Sequence, residues 1–235
     1  MVIFMTDDLR CEFCHNIYDL LELRNRTGVF RDREQAGLKL SEMLKEYKET
    51  DAVVLAIPAG GVPVAASLAE NLKLNLDVVV VSKITLPWNT EVGYGAVAFD
   101  GTVKINEDMV AQMELTTEDI EEDIAKASQK VQRRFKNFRG SKPFPDLLEN
   151  PAILVDDGVA SGFTMLVAVE ALKHQGVSQL IVAVPTGHLQ ALEKISPEVD
   201  HIYCANIRGG WGFAVADAYQ TWYDVEEDVV MDILK

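Results

Sequence analysis

The sequence predicts an α/β fold, a mainly parallel sheet with helices on both faces, and three observations carry that prediction. Apolar runs such as "AVVLAIP", "LDVVVVSK", "AILV" and "QLIVAVP" are continuous rather than alternating, as strands buried on both faces are. Helical patterns of crossover length separate these runs, which favours parallel pairing. The one strong hairpin signal, Asp100-Gly101 between "GAVAF" and "TVKIN", confines antiparallel pairing to a single place.

In chain order, residues 1–27 read as a partly helical N-terminal extension and 28–235 as one domain. A helix is predicted from Asp32, with Ala36, Leu38, Leu40, Met43 and Leu44 largely on one face. Strand 52–57 then runs into "PAGG", and "VPVAASLAENLKL" resumes helical character. Residues 76–83 read as a second apolar strand ending in the cation Lys83. A polar loop, "ITLPWNTEVGYG", precedes the predicted hairpin. Residues 107–138 are helix-rich, with acids early and bases late, as the helix dipole favours. "SKPFPDLLENP" is a loop leading to strand "AILV". Helix "FTMLVAVEALKHQG", strand "QLIVAVP", helix "HLQALEKI" and strand "HIYCAN" follow, then an aromatic and acidic tail.

At 235 residues, 48% hydrophobic, the chain fits one large domain with a sizeable core. A net charge of −15 argues against a nucleic-acid binder. No apolar run approaches the roughly 18 residues of a membrane span, and the acidic start "MVIFMTDDLR" does not read as a secretory signal. A cytoplasmic protein is expected. "CEFCH" at residues 11–15 has the spacing of haem attachment, which needs export; zinc would need a second ligand pair, and the nearest other cysteine is Cys204. The pair therefore reads as chance or as part of a helix turn.

The chemistry concentrates in "ILVDDGVASGFT". Two carboxylates, Asp156 and Asp157, sit where an apolar strand ends, and ligands of parallel sheets bind beyond such ends. Gly158, Ser161, Gly162 and Thr164 follow before a helix begins. A helix N-terminus offers free N–H groups and a positive dipole end, which suit a phosphate. Acceptors for hydroxyls followed by donors for a phosphate suit a sugar phosphate. The P-loop and dinucleotide patterns are absent, and "GVASG" places serine one position late for a hydrolase elbow.

"AILVDDGVASGFT" resembles the phosphoribosyl-diphosphate (PRPP) motif of type I phosphoribosyltransferases. "FRDREQAGLKLSEML", "LAIPAGGVPVA", "LDVVVVSKI", "GAVAFDGTVKINEDMV", "FRGSKPFPDL" and "FAVADAYQTWYDV" resemble parts of a phosphoribosyltransferase-like group of bacteria and archaea, from about residue 28 onward. That resemblance implies the type I fold with a small hood and flap region. Asp156 and Asp157 would hold the ribose hydroxyls directly or through Mg²⁺, as metal ligands. Gly158, Val159, Ala160, Ser161, Gly162, Phe163 and Thr164 would cradle the 5-phosphate. Ala59, Gly60 and Gly61 would form the diphosphate loop, and Lys83 would balance diphosphate charge. Residues 84–95, with Glu91 and Tyr94, would be the flap. The implied partners are PRPP and a nitrogenous acceptor, and the implied assembly is a homodimer.

Two departures from the group's pattern bear on activity. The group carries Arg where this chain has Ala59, so one diphosphate cation is missing. The 6-oxopurine enzymes carry an acid where this chain has Ala160, which disfavours hypoxanthine or guanine. The expected function is Mg²⁺-dependent transfer of ribose 5-phosphate from PRPP to a nitrogenous base, with release of diphosphate. The alternative is a non-catalytic PRPP- or nucleotide-binding regulator. Arg31, Arg33, Arg133, Arg134, Arg139 and Arg208 either line the site or pair with the many acids. Trp211 and Phe213 either stack on a base or pack, and His174 and His188 read as ordinary helix residues.

Overall fold

The computed structural model describes residues 15–86 and 88–235; Cys11 and Cys14 lie outside them. In chain order the elements are β1 (Ile17–Tyr18), α1 (Arg33–Met43), β2 (Val53–Ala56), α2 (Gly61–Leu72), β3 (Asn75–Val78), β4 (Val81–Leu86) and β5 (Asn89–Ala98). There follow β6 (Val103–Ile105), α3 (Glu107–Gln112), α4 (Thr117–Arg139), β7 (Ala152–Val155), α5 (Phe163–His174), β8 (Leu180–His188), α6 (Leu189–Ile195), β9 (His201–Arg208) and α7 (Glu227–Ile233). Six strands form a parallel sheet in the order β1-β9-β8-β7-β2-β3, and β4-β5-β6 form a separate antiparallel sheet.

The strand that carries the two aspartates lies in the interior of the parallel sheet, between β2 and β8. Its side chains alternate between two cores: Ile153 and Val155 pack with Leu40, Val54 and Leu68, whereas Leu154 packs with Leu55, Val167 and Val182. Burial on both faces explains the unbroken apolar run. Caps stand where local chemistry puts them. Asp32 accepts from the Gln35 N–H ahead of α1, and Thr116 with Asp119 makes a capping box on α4. Asp100-Gly101 turns β5 into β6, with Gly101 at φ 91°.

Three expectations need correction. The run "LDVVVVSK" is not one strand: β3 stops at Val78, and the chain leaves the parallel sheet through Val79 and Val80 to start β4 in the other sheet. All of these valines are buried, so the run carries no periodicity to mark the change of sheet. Leu38 is 46% exposed rather than part of the α1 core face. That face is set by Gly37, where a Cβ would lie 2.9 Å from the Ser67 Cβ and would collide with the Val64 carbonyl of α2. The polar stretch read as a loop is largely the β4–β5 hairpin, pairing Thr85 with Gly93 and Leu86 with Asn89. The N-terminal segment contributes β1, which pairs with β9 at the sheet edge and buries Ile17 completely. Among the described residues no helix is long and apolar enough to cross a membrane.

Candidate active site

At the carboxyl ends of β2 and β7 the chain makes two loops that touch. The "PAGG" loop enters α2, and its glycines lie under the aspartates. A Cβ on Gly60 would overlap the Asp157 carboxylate, and one on Gly61 would sit 2.8 Å from the Val155 carbonyl and 2.9 Å from the Asp156 Cα. Only glycine lets the loops approach this closely. Gly158 is confined likewise, since a Cβ there would stand 2.5 Å from Val215 and 2.9 Å from the Thr186 methyl.

The loop after Asp157 is stitched to β8. The Val159 N–H donates to the Thr186 carbonyl at 2.9 Å, and the His188 N–H donates to the Val159 carbonyl at 2.8 Å. Gly162, at φ 80°, then opens α5 with no side-chain cap. Apart from a long 3.4 Å contact between the Phe163 N–H and the Ser161 hydroxyl, the first turn keeps its donors turned towards the loop. This is the arrangement that holds a phosphate. The two loops, with Lys83, Val215 and Trp222, enclose a cleft of about 380 Å³.

The electrostatics are set by Arg33, the first residue of α1. Its guanidinium is 4% exposed; Nε and Nη2 lie 2.9 and 2.8 Å from one carboxylate oxygen of Asp157. Nη1 donates to the Tyr223 carbonyl at 2.8 Å, and the group lies 3.9 Å from the centre of the Trp222 ring. The Tyr219 hydroxyl donates to the Asp157 carbonyl at 2.6 Å. Asp156 forms no ion pair among the described residues; its carboxylate accepts the Asp157 N–H, at 2.8 Å. Burial, reinforced by the neighbouring Asp157 charge, pushes the Asp156 carboxyl well above the usual carboxylate range. Burial raises Asp157 too, but Arg33 opposes it. Asp156 is the carboxyl of the site left without an ion-pair partner among the described residues.

Of the residues expected to act, Asp156, Asp157, Gly158, Val159, Ala160, Ser161, Gly162, Phe163, Thr164, Ala59, Gly60 and Lys83 all line this cleft. Gly61 lies behind it, as the first residue of α2. Lys83 reaches it from β4 and not from the end of a strand in the parallel sheet. Tyr94 does not line it: the ring is fully buried, and its hydroxyl donates to Asp123 at 3.1 Å because β5 presents alternate residues to the core. Glu91 belongs to β5, and its side chain is not among those described. The other arginines divide clearly. Arg31 pairs with Asp32, Arg133 and Arg134 with Glu227, Arg139 with Asp77, and Arg208 with Asp217.

Arg33 is the residue that sequence reasoning does not single out, since its partner stands 124 positions away and no local pattern links them. A second cavity, about 510 Å³, opens beside the loop that follows Asp157, between Ala160, Ser161, His188, Gln190, Trp211 and Phe213. Trp211 is fully exposed there. For a metal, the described residues offer no group of three or more His, Cys, Asp or Glu side chains. Mg²⁺ needs no such group, since one or two carboxylates with water and substrate phosphate oxygens suffice. The Asp156 carboxyl, without an ion-pair partner among the described residues, fits that need.

Residues 33–218 match the phosphoribosyl transferase domain family. Two proteins from Mycobacterium tuberculosis strains, CDC 1551 / Oshkosh and ATCC 25618 / H37Rv, are provisionally named phosphoribosyl transferases. Each is 32% identical to this chain over 206 residues, which is 88% of the chain and 46% of the relative. The chain thus spans about half the length of the curated relatives it matches. The crystal structure of TT1426 from Thermus thermophilus is 31% identical and superposes with a TM-score of 0.69, covering 87% of this chain and 97% of that one.

Proposed function

The chain belongs to the phosphoribosyl transferase domain family, and on that premise we propose that it transfers ribose 5-phosphate from PRPP to a nitrogenous acceptor, releasing diphosphate. The observation that supports this most directly is the Asp156 carboxyl, without an ion pair among the described residues and held beside the Asp157–Arg33 pair at the mouth of a helix N-terminus.

In this reading the bond from ribose C1 to the diphosphate oxygen breaks, a bond from C1 to the acceptor nitrogen forms, and the acceptor gives up a proton. Positive charge develops on the sugar and negative charge on the leaving group. Asp156 and Asp157 hold the two ribose hydroxyls and would be the residues to hold Mg²⁺; bound there, the metal would supply charge stabilisation for the departing diphosphate. Backbone donors of residues 158–164 fix the 5-phosphate. Lys83 and the backbone around Gly60 meet the diphosphate from the other wall, where preorganised donors lower the barrier most. The β4–β5 hairpin, with exposed Trp88 at its turn, excludes water when it closes. The cavity between Ala160 and Trp211 receives the acceptor, stacked on exposed aromatic surface. Ala160 brings no acid to that cavity, so 6-oxopurines are disfavoured.

The alternative is a PRPP-binding regulator without turnover, and Ala59 is the observation that favours it. The residue lines the cleft where a cation would face the diphosphate. Homodimer formation and a cytoplasmic setting belong to the same proposal; exposed Trp211 and Tyr223 offer surface for the former. Calorimetric titration with PRPP and Mg²⁺, followed by a screen of bases for diphosphate release, decides between the readings. Saturable binding with release for one base establishes transfer and names the acceptor. Binding without release from any base establishes the regulator, and no binding overturns both.

A further inference from the structure

A second concentration of charge lies on the far side of Lys83. Between α4 and β4 runs a groove of about 360 Å³ lined by Lys83, Lys126, Lys130 and Arg134, with Asp123 as its one carboxylate. The spacing of 126, 130 and 134 sets three cations in a row along one face of α4.

Part of that charge is compensated within the fold. Lys126 pairs with Glu122 at 2.9 Å and lies 3.7 Å from Asp123, whose carboxylate also accepts the Tyr94 hydroxyl. Arg134, only 12% exposed, lies 3.0 Å from Glu227 through Nε, yet outside hydrogen-bond geometry, so that buried donor is unsatisfied. Lys83 and Lys130 form no ion pair among the described residues. Two ammonium groups with no ion pair among the described residues therefore share one concave surface with the Arg134 guanidinium, which Glu227 compensates from the other side.

We propose that this groove is a second anion site, taking a phosphorylated small molecule between Lys83, Lys130 and Arg134. It is distinct from the cleft at Asp156 and stands whether or not that cleft binds PRPP. The two share one wall, because Val81 and Lys83 line both. An anion in the groove draws on the same ammonium that faces the cleft, so the two sites compete for Lys83.

Inorganic diphosphate is the probe, titrated into the full-length chain at low salt while backbone amide resonances are followed. Amides of residues 126–134 should shift along their own isotherm, separate from that of the diphosphate loop, residues 59–61. Lys130→Ala removes an exposed side chain and leaves the fold intact; it should weaken the groove isotherm about tenfold or more and leave the loop isotherm in place. Lys130→Glu should abolish it. Silence of the α4 amides, or an α4 isotherm unmoved by both variants, overturns the proposal. Shifts in the groove without shifts in residues 59–61 would uphold this site and count against the placement of the diphosphate in the cleft.

Discussion

Arg33 and Arg139 are buried to almost the same degree, each against a carboxylate and each over aromatic rings, yet only one belongs to the candidate active site. Arg139 meets both oxygens of Asp77, at 2.7 and 2.8 Å, gives a third bond to the Pro143 carbonyl, and lies over Phe135 and Phe144. Nothing in that arrangement is left over. Arg33 meets a single oxygen of Asp157, and Asp156 beside it has no cation of its own. The difference lies in the arithmetic of charge rather than in burial or residue type. Where one guanidinium answers one carboxylate, the pair is scaffold. Where a carboxylate remains over, the fold carries a cost that a ligand relieves, which is how functional sites depart from structural ones.

The largest effect should come from breaking the balanced pair. Asp77→Ala leaves Arg139 buried without its partner and should cost about 3 kcal/mol of folding stability, read by chemical denaturation, while PRPP affinity of the folded fraction is unchanged. A variant that kept its stability would break the comparison. Asp156→Asn should act in the opposite sense. Turnover, or PRPP binding if the protein is a regulator, should fall about a hundredfold, near 2.7 kcal/mol, with no loss of stability at neutral pH.

The pH dependence sharpens the same point. A carboxyl raised in the folded state holds its proton more tightly folded than unfolded. Its contribution is therefore fully present below the ordinary carboxylate pKa of about 4, and is lost as pH rises through the folded value. The ligand-free protein should lose stability across that rise, seen as a falling thermal midpoint. Asp156→Asn should flatten the profile, and an unchanged slope would assign the effect to another group. The smallest effect is expected at Ala59. Ala59→Arg should raise turnover severalfold if the missing cation limits transfer, leave it unchanged in a regulator, and lower PRPP affinity only if the loop is misplaced.

How legible these features are depends on the range of the interaction that makes them. Asp32 capping α1, Asp100-Gly101 turning β5 into β6 and the small-residue loop after Asp157 are all local, so adjacent residues announce them. The parallel sheet is legible because burial on both faces leaves unbroken apolar runs. For the same reason the change of sheet at Val79 and Val80 is not, since a uniform run holds no internal landmark. Periodicity misplaces Leu38 because Gly37, not hydrophobicity, chooses the face of α1 that meets α2. Arg33 reaches Asp157 across 124 positions, Trp222 joins from the tail, and only folding brings them there.

The missing side chain at Gly60 has a consequence for how this protein can change. Because any β-carbon there would run into Asp157, the position is closed to substitution, and the two ligand loops vary together or not at all. Its neighbour Ala59 lines the cleft while also packing against the core, and has a β-carbon already. A saturation library across residues 59–61 should therefore return fewer substitutions at Gly60 and Gly61 than at Ala59.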